Sequence, residues 1–99
     1  MALKVHPSFA IHAGEWLKTE IVEANGVSIN ELTEAFGVSR PTVSAVLNGR
    51  TTLTAVMAIR FVHAFGVKAE TLLRMHARYE LAKAREHEAD LAVKSLIPA

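Results

Sequence analysis

Arg40, Thr42, Ser44 and Ala45 fall within a short run, Ser39 to Asn48, whose apolar residues Val43, Val46 and Leu47 recur at helical spacing. A helix with that pattern turns the aliphatic stripe inward and leaves the other four residues as its outward set. An arginine leading such a helix can grip O6 and N7 of guanine in a bidentate pair, while hydroxyls reach base edges and an alanine methyl meets the methyl of thymine. The same guanidinium can equally hold a phosphate or stand solvated at the surface. Asn48 reads first as a helix-end residue and second as a nucleic-acid contact; Arg50 beside it is placed for a backbone phosphate.

These side chains need a frame, and local signals supply one. Ser39 is a helix cap, with Arg40 and Pro41 in the first turn, where the N–H that proline lacks has no helical partner to lose. Asn48-Gly49 closes the element. Upstream, Ser28 with Glu31 three residues on makes a capping box, and Val27 can pack on Leu32 as a hydrophobic staple. This predicts a helix from Ser28 through Phe36 that presents Ile29, Leu32 and Phe36 to the core and stops at Gly37. The N–H groups of both capped ends, at Ser28 and Ser39, also suit phosphate.

The remaining pattern is helical throughout, without β alternation or internal repeat. A first helix is expected from Ala13 to Ala24, with Trp16, Leu17 and Ile21 at helical spacing and Asn25-Gly26 as its stop. A fourth is expected from a Thr54 cap to Phe65, with Val56, Ile59, Val62 or His63, and Phe65 on related faces. A fifth runs from Ala69 to His87, with Leu72, Met75, Tyr79 and Ala82 as one stripe that either finishes the core or forms a dimer seam. Beyond Glu88 the pattern weakens, and Leu91-Ala92-Val93 can extend the helix or add another turn. Three segments follow: an arm over 1–12, a helical domain over 13–87 and a tail or short helix over 88–99.

Composition narrows the chemistry. Ninety-nine residues, 51% hydrophobic with three prolines, suit one core. The absence of cysteine removes disulfides and thiol catalysis and makes a cytoplasmic protein the default. No apolar stretch is long enough for a signal peptide or a membrane span. The net charge of +1 is nearly neutral, but it is sorted: from Ala35 to Ala69 there are Arg40, Arg50, Arg60 and Lys68 and no acidic residue. His6, His12, His63, His76 and His87 include no i, i+4 pair, so no metal is expected, and His12 reads as an entry-turn residue. Trp16 reads as core or as a partner anchor. No phosphate loop, nucleophile motif or paired inward carboxylates appear, so neither enzyme activity, nor a cofactor, nor a small-molecule substrate is expected.

Residues Ser28 to Gly49 have helix-turn-helix spacing. With His12-Ala13-Gly14-Glu15, Leu32-Thr33-Glu34-Ala35-Phe36-Gly37-Val38-Ser39-Arg40, Leu47-Asn48-Gly49-Arg50, Met57-Ala58-Ile59-Arg60, Ala64-Phe65-Gly66 and Ala77-Arg78-Tyr79-Glu80-Leu81, the chain resembles the Xre-type helix-turn-helix proteins, and more narrowly the HigA-type antitoxins, over about residues 12 to 82. It departs from them at Ala13, where proline is usual, and at Thr33, where a small alanine is usual at the helix crossing. Thr33 either shifts that crossing or bonds back within its own helix.

The resemblance implies an all-α, five-helix bundle like the lambda repressor that dimerises and binds double-stranded DNA at a palindromic operator. It further implies repression of its own operon and silencing of a cognate toxin ribonuclease. The DNA-binding residues, expected from the caps and outward face read above, are Ser28, Ser39, Arg40, Thr42, Ser44, Ala45, Asn48 and Arg50, whereas the toxin-directed role rests on the resemblance alone. Two alternatives stand beside this: a stand-alone phage-like repressor, and a protein-interaction module that has lost DNA binding. The near-neutral charge favours the module, and the acid-free stretch argues against it.

Overall fold

Residues 10–98 are described by the computed structural model, and they form five α-helices with no strand among the described residues. In chain order these are α1 (Ala13–Leu17), α2 (Ile29–Phe36), α3 (Arg40–Leu47), α4 (Ala55–Phe65) and α5 (Ala69–Arg85). A π-helical turn, Lys18–Glu23, prolongs α1, and a 3-10 turn, Glu88–Leu91, follows α5. The arm's residues 1–9, His6 included, lie outside the described residues.

The core is filled by Leu17 from α1, Leu32 from α2, Val43 and Leu47 from α3, Phe61 from α4 and Leu72 from α5, all essentially without exposure. One contact sets how closely these layers approach. Where α1 crosses α3 the two backbones touch: a Cβ on Gly14 would overlap the Val46 carbonyl oxygen and lie 2.8 Å from its carbon. Glycine stands there because no other residue leaves room.

Two histidines tie the ends of this crossing to the rest. His12 caps α1, its Nδ1 accepting the Gly14 N–H at 2.9 Å. That leaves the proton on Nε2, which donates to the Thr51 carbonyl at 2.7 Å. His76, on α5, accepts the Leu53 N–H at Nε2 (3.0 Å), so in its neutral form it carries its proton on Nδ1. Thr52 Oγ1 stands 2.9 Å from the same Nε2 and donates to Glu80 Oε2 at 2.7 Å. The two imidazoles meet edge to face, 4.4 Å between centroids, and both are buried. The sequence reads His12 as an entry-turn residue, as its cap on α1 bears out, and assigns His76 no structural role; here the two join α1, α5 and the loop after α3.

Several elements differ from the expected pattern. Helix one leaves α geometry at Lys18, a change of winding that a 3.6-residue period does not register. In α4, Val56 and Ile59 are exposed (64% and 47%), and the buried face is Met57, Ala58 and Phe61. Apolar residues surround α4 on every side, so periodicity leaves its rotation open; packing against α5 and α2 sets it, with Phe36 and Phe61 meeting edge to face at 4.9 Å. In α5 Leu72 is buried as expected, but His76 takes the second fully buried place, while Met75, Tyr79 and Ala82 are half-buried. That helix ends at Arg85, short of His87, and the Leu91-Ala92-Val93 stretch lies exposed.

Two outcomes follow. Gly14→Ala gains helix propensity of at most about 1 kcal/mol, yet it must force α1 off α3. A net loss of about 1–3 kcal/mol in urea unfolding is expected. The second concerns pH. Desolvation, then the neighbouring His12, holds the His76 imidazole below the ordinary histidine value of 6.5, with Glu80 opposing. On acidification the unfolded chain takes up a proton near that value that the folded chain resists. Stability is therefore full above about pH 6.5 and declines as pH falls below it. The melting temperature should drop between pH 7.5 and 5.5, and His76→Gln, whose amide oxygen can still accept the Leu53 N–H, should show a flatter profile.

Candidate nucleic-acid interface

The candidate interface is built from two capped helices and the turn between them. Ser28 and Glu31 close the capping box in both directions: Glu31 N donates to Ser28 Oγ at 3.1 Å and Ser28 N to Glu31 Oε1 at 2.9 Å. The Ser28 backbone bond, and then its hydroxyl, hold the Glu31 carboxyl below its usual range. Val27 packs on the core cluster that contains Leu32. Gly37 ends α2 in the left-handed region at φ 66°, where a side chain would be strained. The Thr33 hydroxyl donates to the Asn30 carbonyl at 2.8 Å, so it bonds back within α2.

Two residues past that turn, Ser39 caps α3. Its Oγ accepts the Thr42 N–H at 3.3 Å and lies 2.8 Å from Thr42 Oγ1. Val43, Val46 and Leu47 are buried as expected. Arg40, Pro41, Thr42 and Asn48 are exposed, while Ser44 and Ala45 are half-buried. Pro41 shares the outward face and was read in the sequence only for its place in the first turn. The end of α3 is a Schellman turn: Arg50 N donates to the Ala45 carbonyl at 2.9 Å and Gly49 N to the Val46 carbonyl at 3.1 Å. Gly49 takes φ 69°, and a Cβ there would also stand 2.7 Å from Glu15 Oε1.

The polar side chains of this face are tied to one another before any ligand arrives. Arg40 Nη1 donates to Asn30 Oδ1 on α2 at 2.8 Å. Asn48 Nδ2 donates to the Ser44 carbonyl (2.9 Å) and to Ser44 Oγ (3.1 Å), and Arg50 Nη2 donates to the same Oγ at 3.3 Å. Lys18 Nζ, at the start of the π turn, donates to Asn48 Oδ1 at 3.1 Å. The structure thus gathers Lys18, Ser44, Asn48 and Arg50 into one patch and places Arg40 with Asn30. Ser28 and Ser39 sit at the two caps. Lys18 and Asn30 were not singled out in the sequence; Lys18 lies outside the acid-free stretch, and Asn30 shows its role only through a bond spanning α2 to α3.

With two capped helices, a glycine turn between them and the second helix presenting a cationic, hydroxyl-bearing face, residues Ser28 to Gly49 form a helix-turn-helix. The model of the Helix-turn-helix family matches residues 19–72. The chain belongs to the Xre-type branch of that family and groups with its HigA-type antitoxins, a class of DNA-binding regulators. It is 39% identical over 71 residues to antitoxin HigA-1 of Vibrio cholerae, covering 72% of this chain and 67% of that protein. It is 31% identical over 84 residues to virulence-associated protein I of Dichelobacter nodosus, covering 85% and 78%. Among solved structures, Pseudomonas aeruginosa antitoxin HigA with the higBA promoter superposes with a TM-score of 0.77 at 28% identity, covering 89% of this chain and 99% of that one.

Proposed function

We propose that the protein is a cytoplasmic, dimeric antitoxin that binds a palindromic operator in its own promoter, represses its operon, and binds and neutralises a cognate toxin ribonuclease. The observation that carries the DNA-binding part is the outward face of α3, whose Arg40, Thr42 and Asn48 are exposed within a stretch free of acidic residues. Arg40 reads a base from the leading end of α3, steadied by Asn30. Thr42, Ser44 and Ala45 line the rest of the groove-facing side. Arg50, Asn48 and Lys18 hold phosphates, and the backbone N–H of Arg40 at the Ser39 cap adds a further one, whereas at the Ser28 cap the Glu31 carboxylate already takes the Ser28 N–H, leaving the Ser28 hydroxyl at the edge of the contact. Two copies place their α3 helices in successive major grooves, about 34 Å apart, on one side of the duplex. The toxin-directed role is supported by similarity to a protein named antitoxin HigA-1. For the cytoplasm, the support is membership of a DNA-binding family.

Mobility shift on the promoter of its own operon tests the DNA-binding part. A salt-sensitive shift is expected; no shift on that DNA removes the repressor role. Arg40→Ala should weaken specific binding by about 1–3 kcal/mol and flatten the preference at one base position. Arg50→Ala should weaken all sequences alike and lower the log–log salt slope by about 1. Co-purification with the product of the adjacent small reading frame tests the toxin partner, and a protein that shifts DNA but captures no such product is a lone repressor.

A further inference from the structure

Beyond the α3 face, two features find no counterpart among the described residues of the same chain. One is a groove of about 380 Å³ between α1 and α5, with Ile11, Trp16 and Met75 among its apolar lining and the exposed Arg74 and Arg78 on α5 beside them. Trp16, which the sequence offers as core or as a partner anchor, packs half-buried on the core and lines the groove. The other is the segment that leaves α5. It carries Glu88 and Asp90, followed by Leu91, Val93, Leu96 and Ile97, which are exposed by 65%, 84%, 93% and 77%. Large apolar side chains left this open along one segment mark a contact surface.

The two are complementary in charge and in order. The groove is apolar with two cations in its wall, and the segment presents two anions and then aliphatic residues interrupted by Lys94, so that its net charge is still negative. Geometry favours pairing between copies. Along α5, Arg78 lies about 10 Å back from Arg85, at 1.5 Å per residue, so one chain's tail starts beyond its own groove. A second α5 laid antiparallel across the exposed Ala77, Leu81 and Ala84 carries its own tail toward Arg74 and Arg78. The two-fold symmetry of such a pair repeats the contact on the other side.

We propose that in the dimer the segment from Glu88 to Ile97 of each copy lies in the α1–α5 groove of the other, with Glu88 and Asp90 against Arg74 and Arg78 and the aliphatic residues on Ile11, Trp16 and Met75. This exchange rests on the dimeric reading above.

A reciprocal charge swap in the full-length protein, read by sedimentation equilibrium, tests it. Arg74→Glu with Arg78→Glu makes both groove contacts of a homodimer repulsive, and so does Glu88→Lys with Asp90→Lys; each pair alone should raise the dimer dissociation constant at least about tenfold. All four side chains are exposed, so helical circular dichroism should stay at its wild-type level. Mixed one to one, the two variants should recover a tight heterodimer, because each acidic tail then meets a basic groove and each basic tail an acidic one. The chain carrying all four substitutions should recover a homodimer. Unchanged dimerisation in both variants overturns the exchange. Recovery in the fourfold chain without recovery on mixing also overturns it, since the tail then folds onto its own groove. A wild-type chain that is monomeric throughout overturns the dimer itself, a separate failure.

Discussion

Everything that presents α3 depends on the touch between two backbones, Gly14 of α1 on the carbonyl of Val46. A helix pair separated by side chains sits 8–10 Å apart; removing the Cβ at the crossing lets α1 brace α3 directly. The same carbonyl accepts the Gly49 N–H in the turn that ends α3. The contact therefore fixes at once the depth of α3, the place where it stops and the direction in which Arg50 departs. His12 reinforces it from the outside, spanning the α1 cap and the Thr51 carbonyl.

A face held in this way can be ordered before it meets a ligand. Arg40 rests on Asn30, while Arg50 and Asn48 both bond Ser44. Long cationic side chains lose rotamer freedom on binding, and partners that already restrain them lower that cost. The bonds are exposed and hence individually weak, so phosphate or base oxygens can replace Asn30 and Ser44 as acceptors without leaving a buried group unpaired. An almost neutral chain reaches the field it needs by keeping acidic residues off α3 and α4 instead of by raising its total charge.

How far the sequence could be read divides along local and distant interactions. The caps at Ser28, Ser39 and Thr54, and the glycine stops at Gly37 and Gly66, were legible because their chemistry lies within four residues of chain. The buried stripe of α3 was legible because its other face is polar. In α4 the rotation was not, since Val56 and Ile59 compete on equal terms with Met57 and Phe61 and only packing against α5 and α2 decides between them. The His12–His76 pair, the Lys18–Asn48 bond and the Arg40–Asn30 bond join residues far apart in the chain and leave no periodic trace. Gly14 appears in a string shared with relatives, but the reason for it is the Val46 carbonyl, which only the folded chain brings there.

The central claim is that α3 reads an operator from the major groove, and methylation interference on the promoter duplex tests it most directly. Guanine N7 opens only into the major groove. Methylation at N7 should abolish binding at guanines clustered in two half-sites about one helical turn apart and leave the intervening bases without effect. Binding that survives N7 methylation at every guanine of the site, or that is blocked only by modification in the minor groove, would contradict the account.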